Sequence, residues 1–296
     1  MLEQLEIPSE VRIHIEDFIG RNYLADIARL NVSLAKKGRS SANLCVDMVP
    51  VPYTGNPFGV PREGGIALIG INPRWPKGGW ASHHGINEHM PLRNCVERYR
   101  NGDPEAAAEF LDLRHGYFND DSRLYYAPYF SKLGNRLREQ WFPQLGMRQV
   151  FRERIIKADI LPYFSNDADS IDTRRLLSAN DDDPALVSYR RALASILADR
   201  RPRWIQCNGF ASGATLENLF GVAPFTERIV IDERGRKFRL RVGRVRIGDS
   251  SRSSEYRVLI HGFTNSSSGP QDTTAWRAIA NDWLKWHEDR SLVTFE

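Results

Sequence analysis

Four short apolar runs punctuate the chain: "GIALIGI" (65–71), "IIKADIL" (155–161), "WIQC" (204–207) and "YRVLI" (256–260). The first is unbroken, and an unbroken apolar run, rather than apolar–polar alternation, predicts a strand of a sheet covered on both faces; the other three read as further core strands. Between and around them the period changes to that of helices. "PSEVRIHIEDFIGRNYLADIARL" places Val11, Ile15, Phe18, Ile19 and Leu24 on one face, with Ser9 as N-cap, so residues 1–40 read as helical. Further helices are predicted near 91–100 and 104–113, over "DDDPALVSYRRALASILADRR", over "ASGATLENLFG" up to Gly221, and over "QDTTAWRAIANDWLKWHEDR", which carries Trp276, Ile279, Ala280 and Trp283 on one stripe. "RIVIDERGRKFRLRV" reads as a β-hairpin turning at Glu233-Arg234-Gly235. The Pro- and Gly-rich stretch 45–64 reads as a loop.

Strands that alternate with helices predict a three-layer α/β/α sandwich around a central, mostly parallel four-stranded sheet. The expected organisation is a single domain over 1–296, with an N-terminal helical extension (1–45) and a hairpin insertion near 227–242. In such sheets ligands bind beyond the carboxyl ends of the strands. Those ends carry Asn72, Asp159 (with Pro162 just beyond), Asn208 and His261.

Composition narrows the partners only slightly. Forty-one basic and 37 acidic residues leave a net charge of +4, and the pI is about 9.0. That permits nucleic acid as a partner without requiring it. No run approaches the roughly 18 consecutive apolar residues of a membrane span. The acidic, mixed N-terminus is not a signal peptide, and Cys45, Cys95 and Cys207 are far apart and form no CxxC pair. A cytoplasmic monomer without disulfides, metal or other cofactor is expected. His83, His84 and His89 lack the partner spacing of a metal site and read as a polar loop.

The ordered set Gly70-Ile71-Asn72-Pro73, Asp159-Ile160-Leu161-Pro162 and His261-Gly262 resembles the uracil-DNA glycosylase superfamily. That family carries a G-x-[ND]-P motif after its first core strand, a strand ending in a base-reading Asn, and a histidine loop after its last core strand. The resemblance spans roughly residues 65–285 and implies base flipping and hydrolysis of an N-glycosidic bond in DNA, without a cofactor. It implies that Asn72 orients the attacking water and that His261 donates a hydrogen bond to base O2 as negative charge develops there. Without that resemblance, Asn72 reads as the cap of the Pro73 turn and His261 as a structural histidine.

The departures from the family pattern carry the substrate expectation. A carboxylate at Asp159 only accepts hydrogen bonds, so it repels uracil O4 and suits the N4 amine of cytosine. If Asn166 reads the base instead, uracil returns as the substrate. Arg74 and Trp75, where uracil enzymes carry an aromatic wall, would contact a polar 5-substituent such as a hydroxymethyl or a sugar; Arg74 serves equally as a phosphate clamp. A modified cytosine in viral DNA is the expected substrate, which suggests a role in antiviral defence, with uracil repair and a non-catalytic DNA-binding module as alternatives. After His261 the family's Pro and Ser are replaced by Gly262 and Phe263. Phe263 is a candidate wedge, with Asn265 at the family's wedge place, and Ser266, Ser267, Ser268 and the Gly269 amide are candidate phosphate ligands. Candidates for stacking on the base are Trp75, Trp80, His84, Tyr129 and Phe130. Arg234, Arg236, Lys237, Arg239 and Arg241 make the hairpin either a DNA contact or a solvated face.

Overall fold

The computed structural model describes residues 7–73, 86–248, 253–262, 270 and 272–286. In chain order the elements are α1 (Ser9–Ile19), α2 (Tyr23–Ser33), β1 (Ile66–Gly70), α3 (Ile86–Arg100), α4 (Glu105–His115), α5 (Ala127–Trp141), α6 (Met147–Glu153), β2 (Ile155–Asp159), α7 (Thr173–Asp182), α8 (Pro184–Arg200), β3 (Ile205–Asn208), α9 (Phe210–Phe220), β4 (Thr226–Ile231), β5 (Lys237–Ile247), β6 (Ser254–His261) and α10 (Thr273–Trp286). The strands form one six-stranded sheet in the order β2-β1-β3-β6-β5-β4.

The four apolar runs are the four parallel strands, β2-β1-β3-β6. The expected four-stranded sheet is therefore corrected to six strands. The hairpin is no appendage: β4 pairs antiparallel with β5, and β5, from Leu240 on, pairs antiparallel with the whole length of β6. The periodicity hid the second half of β5 because its buried face changes. Phe238, Leu240 and Val242 are buried on one face, then Val245 and Ile247 on the other, while the pairing with β6 runs on without a slip.

Side chains alternate between the two faces of a strand, so the register sorts the helices into two layers. On one face, Trp141 of α5 donates to Gln206 of β3, and Trp276 of α10 packs edge-on against His261 of β6. On the other, α9 presses Gly213 against Ile260, and the Tyr256 hydroxyl of β6 donates to the Leu197 carbonyl of α8 at 2.9 Å. The N-terminal helices belong to the same core: Val11, Ile15, Phe18, Ile27 and Leu30 are buried in one cluster with the strand residues. The expected continuous helical face breaks between α1 and α2, where Asn22 accepts from the Ala25 amide at 3.3 Å and so caps α2. Pro8, not Ser9, occupies the cap position of α1, and Leu24 is left 43% exposed.

The Pro-rich stretch is ordered and covers the outer edge of β2. Thr54 N donates to the Lys157 carbonyl (2.8 Å), Val51 N to Pro162 (3.1 Å) and Cys45 N to Phe164 (2.8 Å). An edge strand is thereby protected from pairing with another chain.

Candidate functional site

Because the four core strands run parallel, their C-terminal ends share one rim. Gly70 is level with Asp159, and Asn208 with His261. Ile69 is level with Cys207, which brings Gly70 and Asn208 to the same height. Asp159, Gly70, Asn208 and His261 thus make one row across the sheet, on the face covered by α5 and α10, and Asn72 follows just beyond it. Gly209, directly after this row, has φ +118°, which glycine adopts without the penalty of a side chain. Its amide donates to the His261 carbonyl at 3.0 Å.

The Asn72 segment is held by the loop that leaves β2. Ile160 N donates to the Gly70 carbonyl (2.9 Å), Leu161 N to Ile71 (2.8 Å) and Ser165 N to Pro73 (3.0 Å). Within this clasp the Asn72 amide nitrogen donates to Ser165 Oγ (2.6 Å), the Pro73 carbonyl (3.1 Å) and the Tyr163 carbonyl (3.4 Å). Two backbone carbonyls can only accept, so the side-chain amide is oriented with its nitrogen inward. Its oxygen Oδ1 is buried and has no hydrogen-bond partner among the described residues. A buried acceptor left unpaired is costly, and its natural complement is a donor such as a water or hydroxyl proton.

Asp159 does not stand alone. Its Oδ1 receives the Lys157 ammonium at 2.7 Å, with only 4% and 11% of the Lys157 and Asp159 side chains exposed. Lys157 also donates to the Ala158 carbonyl at 2.7 Å. Oδ2 makes no hydrogen bond among the described residues. Gly70 makes room for the pair, since a Cβ there would collide with Asp159 Oδ1. Beneath β2 the Tyr189 hydroxyl donates to the Asp159 carbonyl, which sets the strand end. Asn208 Nδ2 donates to the Tyr129 hydroxyl at 3.1 Å. Burial pushes the Tyr129 pKa up, and the Asp159 charge pushes the same way. Tyr129 therefore stays a neutral hydroxyl whose own proton can still be given to a ligand. Sequence reasoning missed Lys157 and Arg114, a buried cation on α4. Lys157 had a signal: it interrupts an apolar strand two residues before Asp159, hence on the same face.

His261 is 1% exposed. Its Nδ1 lies 2.8 Å from the Gly262 carbonyl, which can only accept, so the proton is on Nδ1. Nε2 then accepts from Gln206 Nε2 at 3.1 Å, while the Gln206 oxygen accepts from the Trp141 indole at 3.2 Å. Burial pulls the His261 pKa down to about 4, so the ring is neutral near pH 7. Both nitrogens are engaged within the fold, and the ring has no donor left for a ligand at the rim. This arrangement differs from the donor role expected of His261.

The remaining expectations divide cleanly. Arg74, Trp75, Trp80, His83, His84, Phe263, Asn265, Ser266, Ser267, Ser268 and Gly269 lie outside the described residues. Phe130 is a core residue, 6% exposed, packed on Tyr117, Phe118 and Phe151. Asn166 follows Ser165, and its amide donates to the Asn43 carbonyl at 2.9 Å. Most hairpin cations are already engaged. Arg234 pairs with Asp272, Arg236 with Asp232 and Asp272, and Arg241 with Glu217, while Arg239 lies 4.5 Å from the centre of the Phe210 ring. Cys45, Cys95 and Cys207 are buried free thiols. Among the described residues no cluster of His, Cys, Asp and Glu has the geometry of a metal site. No protein-family model matches the chain, and no curated protein matches it in sequence; the rim is therefore read on its own chemistry.

Proposed function

We propose that the chain is a monofunctional DNA glycosylase acting on a flipped-out pyrimidine. The observation that carries this reading is Asn72: an amide just beyond the end of β1, clamped through its nitrogen, whose buried oxygen has no partner among the described residues. That oxygen accepts a proton of water and orients its lone pair toward the anomeric carbon, and orientation alone supplies a large part of a barrier. In the reaction the bond between C1′ and the base nitrogen breaks and its electron pair leaves with the base. The water oxygen bonds to C1′, its proton passes to the base or to solvent, and an abasic site remains. The transition state is oxocarbenium-like, as in other glycoside cleavage.

Asp159 supports a cytosine-type base over uracil. One carboxylate oxygen is taken by Lys157, and the other suits an amine donor, which cytosine N4 offers and uracil O4 does not. Removing unmodified cytosine would destroy the host's own genome, so we propose a 5-substituted cytosine, hydroxymethylated or glucosylated, as in viral DNA. The engaged state of His261 favours one other reading, a DNA-binding module of the same fold without catalysis.

The test is alkaline cleavage of labelled DNA, single- and double-stranded, carrying uracil, cytosine, 5-hydroxymethylcytosine or its glucosylated form. Cleavage at the modified cytosines, falling by about 10–100-fold in Asp159→Asn as a paired acceptor is lost, is the expected result. Cleavage at uracil alone overturns the base assignment. DNA binding with no abasic product overturns the glycosylase reading in favour of the binding module.

A further inference from the structure

Among the described residues, Asp159 is the one nearly buried carboxylate near two buried cations at this end of β2. Lys157 is 3% exposed and Arg114 1%. Arg114 Nε and Nη2 donate to a single backbone carbonyl, Tyr53, at 3.2 and 2.7 Å, and its guanidinium sits 5.0 Å from the centre of the Tyr117 ring. Among the described residues no carboxylate touches it and Nη1 makes no hydrogen bond. Tyr53, which Arg114 holds, adjoins Thr54, whose amide donates to the Lys157 carbonyl at 2.8 Å; Arg114 is thereby placed beside β2, where the Asp159 charge also acts on it. The other described titratable groups beside Arg114 are uncharged. Burial keeps Tyr53 and Tyr117 as neutral phenols and draws the neighbouring His115 down to about 4. Asp112, near Tyr53, is exposed to solvent. Two buried cations thus share one buried anion.

A lone buried cation is costly unless something balances it, and fixed charge in a dry site acts strongly on charge that develops nearby. We infer that Arg114 and Lys157 give the rim a preference for an anionic ligand, and that this ligand is the pyrimidine as it departs. The inference rests on the glycosylase reading for the identity of the ligand. In that reaction the C1′–N bond breaks with its electron pair on the base, and water supplies the new bond to C1′. The positive field behind Asp159 then favours the negatively charged leaving base, the task for which His261 has no donor free. Arg114 does not touch the reacting atoms; it is a positioning residue that acts through its charge.

The test compares binding of two free pyrimidines to the intact protein by calorimetry at pH 7.5: barbiturate, a monoanion, and uracil, its neutral counterpart. Barbiturate binding tighter than uracil by about tenfold or more is expected. Arg114→Met should bring the two within about threefold, and Arg114→Lys should keep the preference because the charge remains. On DNA, Arg114→Met should lower kcat with little change in KM, as expected for an interaction made in the transition state. Equal binding of the two pyrimidines by the wild-type protein, or binding of neither, overturns the inference without recourse to a variant. So does a folded Arg114→Met protein that keeps the preference. The two readings fail separately: an anion preference with no abasic product removes the glycosylase assignment alone, and abasic product with no anion preference removes this inference alone.

Discussion

At the scale of the residue, Asn72 shows why an amide rather than a carboxylate stands at this strand end. Its nitrogen faces the Pro73 and Tyr163 carbonyls and Ser165 Oγ, which accept hydrogen bonds. Asp in its place would set a carboxylate against two carbonyls. Asn72→Asp is therefore expected to cost about 1–3 kcal/mol of stability, the penalty for unpaired buried acceptors. Urea unfolding of the variant reads that loss; unchanged stability would mean that the clasp does not depend on the amide donor. Asp159 shows the opposite logic. There a carboxylate is tolerated in a nearly closed site because Lys157 lies against it at 2.7 Å and Gly70 leaves it room.

At the scale of the element, helix ends and strand partners set the layers. Asp183 caps α8 through the Ala185 and Leu186 amides, at 2.9 and 3.4 Å, and ties α8 to α2 through Arg29 at 2.7 Å. Burial raises its pKa, but the Arg29 bond and the helix amides outweigh burial, so the carboxyl sits below its ordinary value. A lowered folded pKa gives stability that is present above the unfolded value, about 3.9 for Asp, and is lost as the pH falls below it. Asp183→Ala should cost about 1–2 kcal/mol at pH 7, with the difference from wild type shrinking toward pH 3; a difference independent of pH would contradict the assignment. The four parallel strands were legible because they are short apolar runs, and α10 because its stripe of Trp276, Ile279, Ala280 and Trp283 holds one period. Three helices were not read: α5 opens in an aromatic-rich segment and carries Pro128 and Gly134, α6 has only seven residues and α7 is largely polar. The second half of β5 escaped because its buried face switches near Gly243. Of the candidate site, the strand-end residues were legible by position, whereas Arg114 was not, because only the fold buries it against Tyr53 and Tyr117.

At the scale of the whole molecule, one core cluster joins both helical layers and the sheet, and no described helix is long and apolar enough to cross a membrane. The buried polar line Trp141–Gln206–His261–Gly262 runs through that core. His261 titrates at about 4 in the fold against about 6.5 unfolded. The unfolded chain therefore takes up the proton first as the pH falls. Stability present above pH 6.5 drains away toward pH 4, by up to about 3 kcal/mol from this residue. Urea unfolding between pH 7 and pH 4.5 should show that slope, and His261→Gln should lose this part of it; an unchanged slope in the variant would put the titration elsewhere. The central claim is that Asn72 orients a water for glycosidic cleavage. Its most direct test is the yield of abasic sites, read by alkaline cleavage of DNA carrying 5-hydroxymethylcytosine, for the wild-type protein and Asn72→Ala side by side. Strand cleavage by the wild type, reduced by about a hundredfold or more in a folded Asn72→Ala protein, is the predicted result; equal cleavage by both proteins would contradict the account.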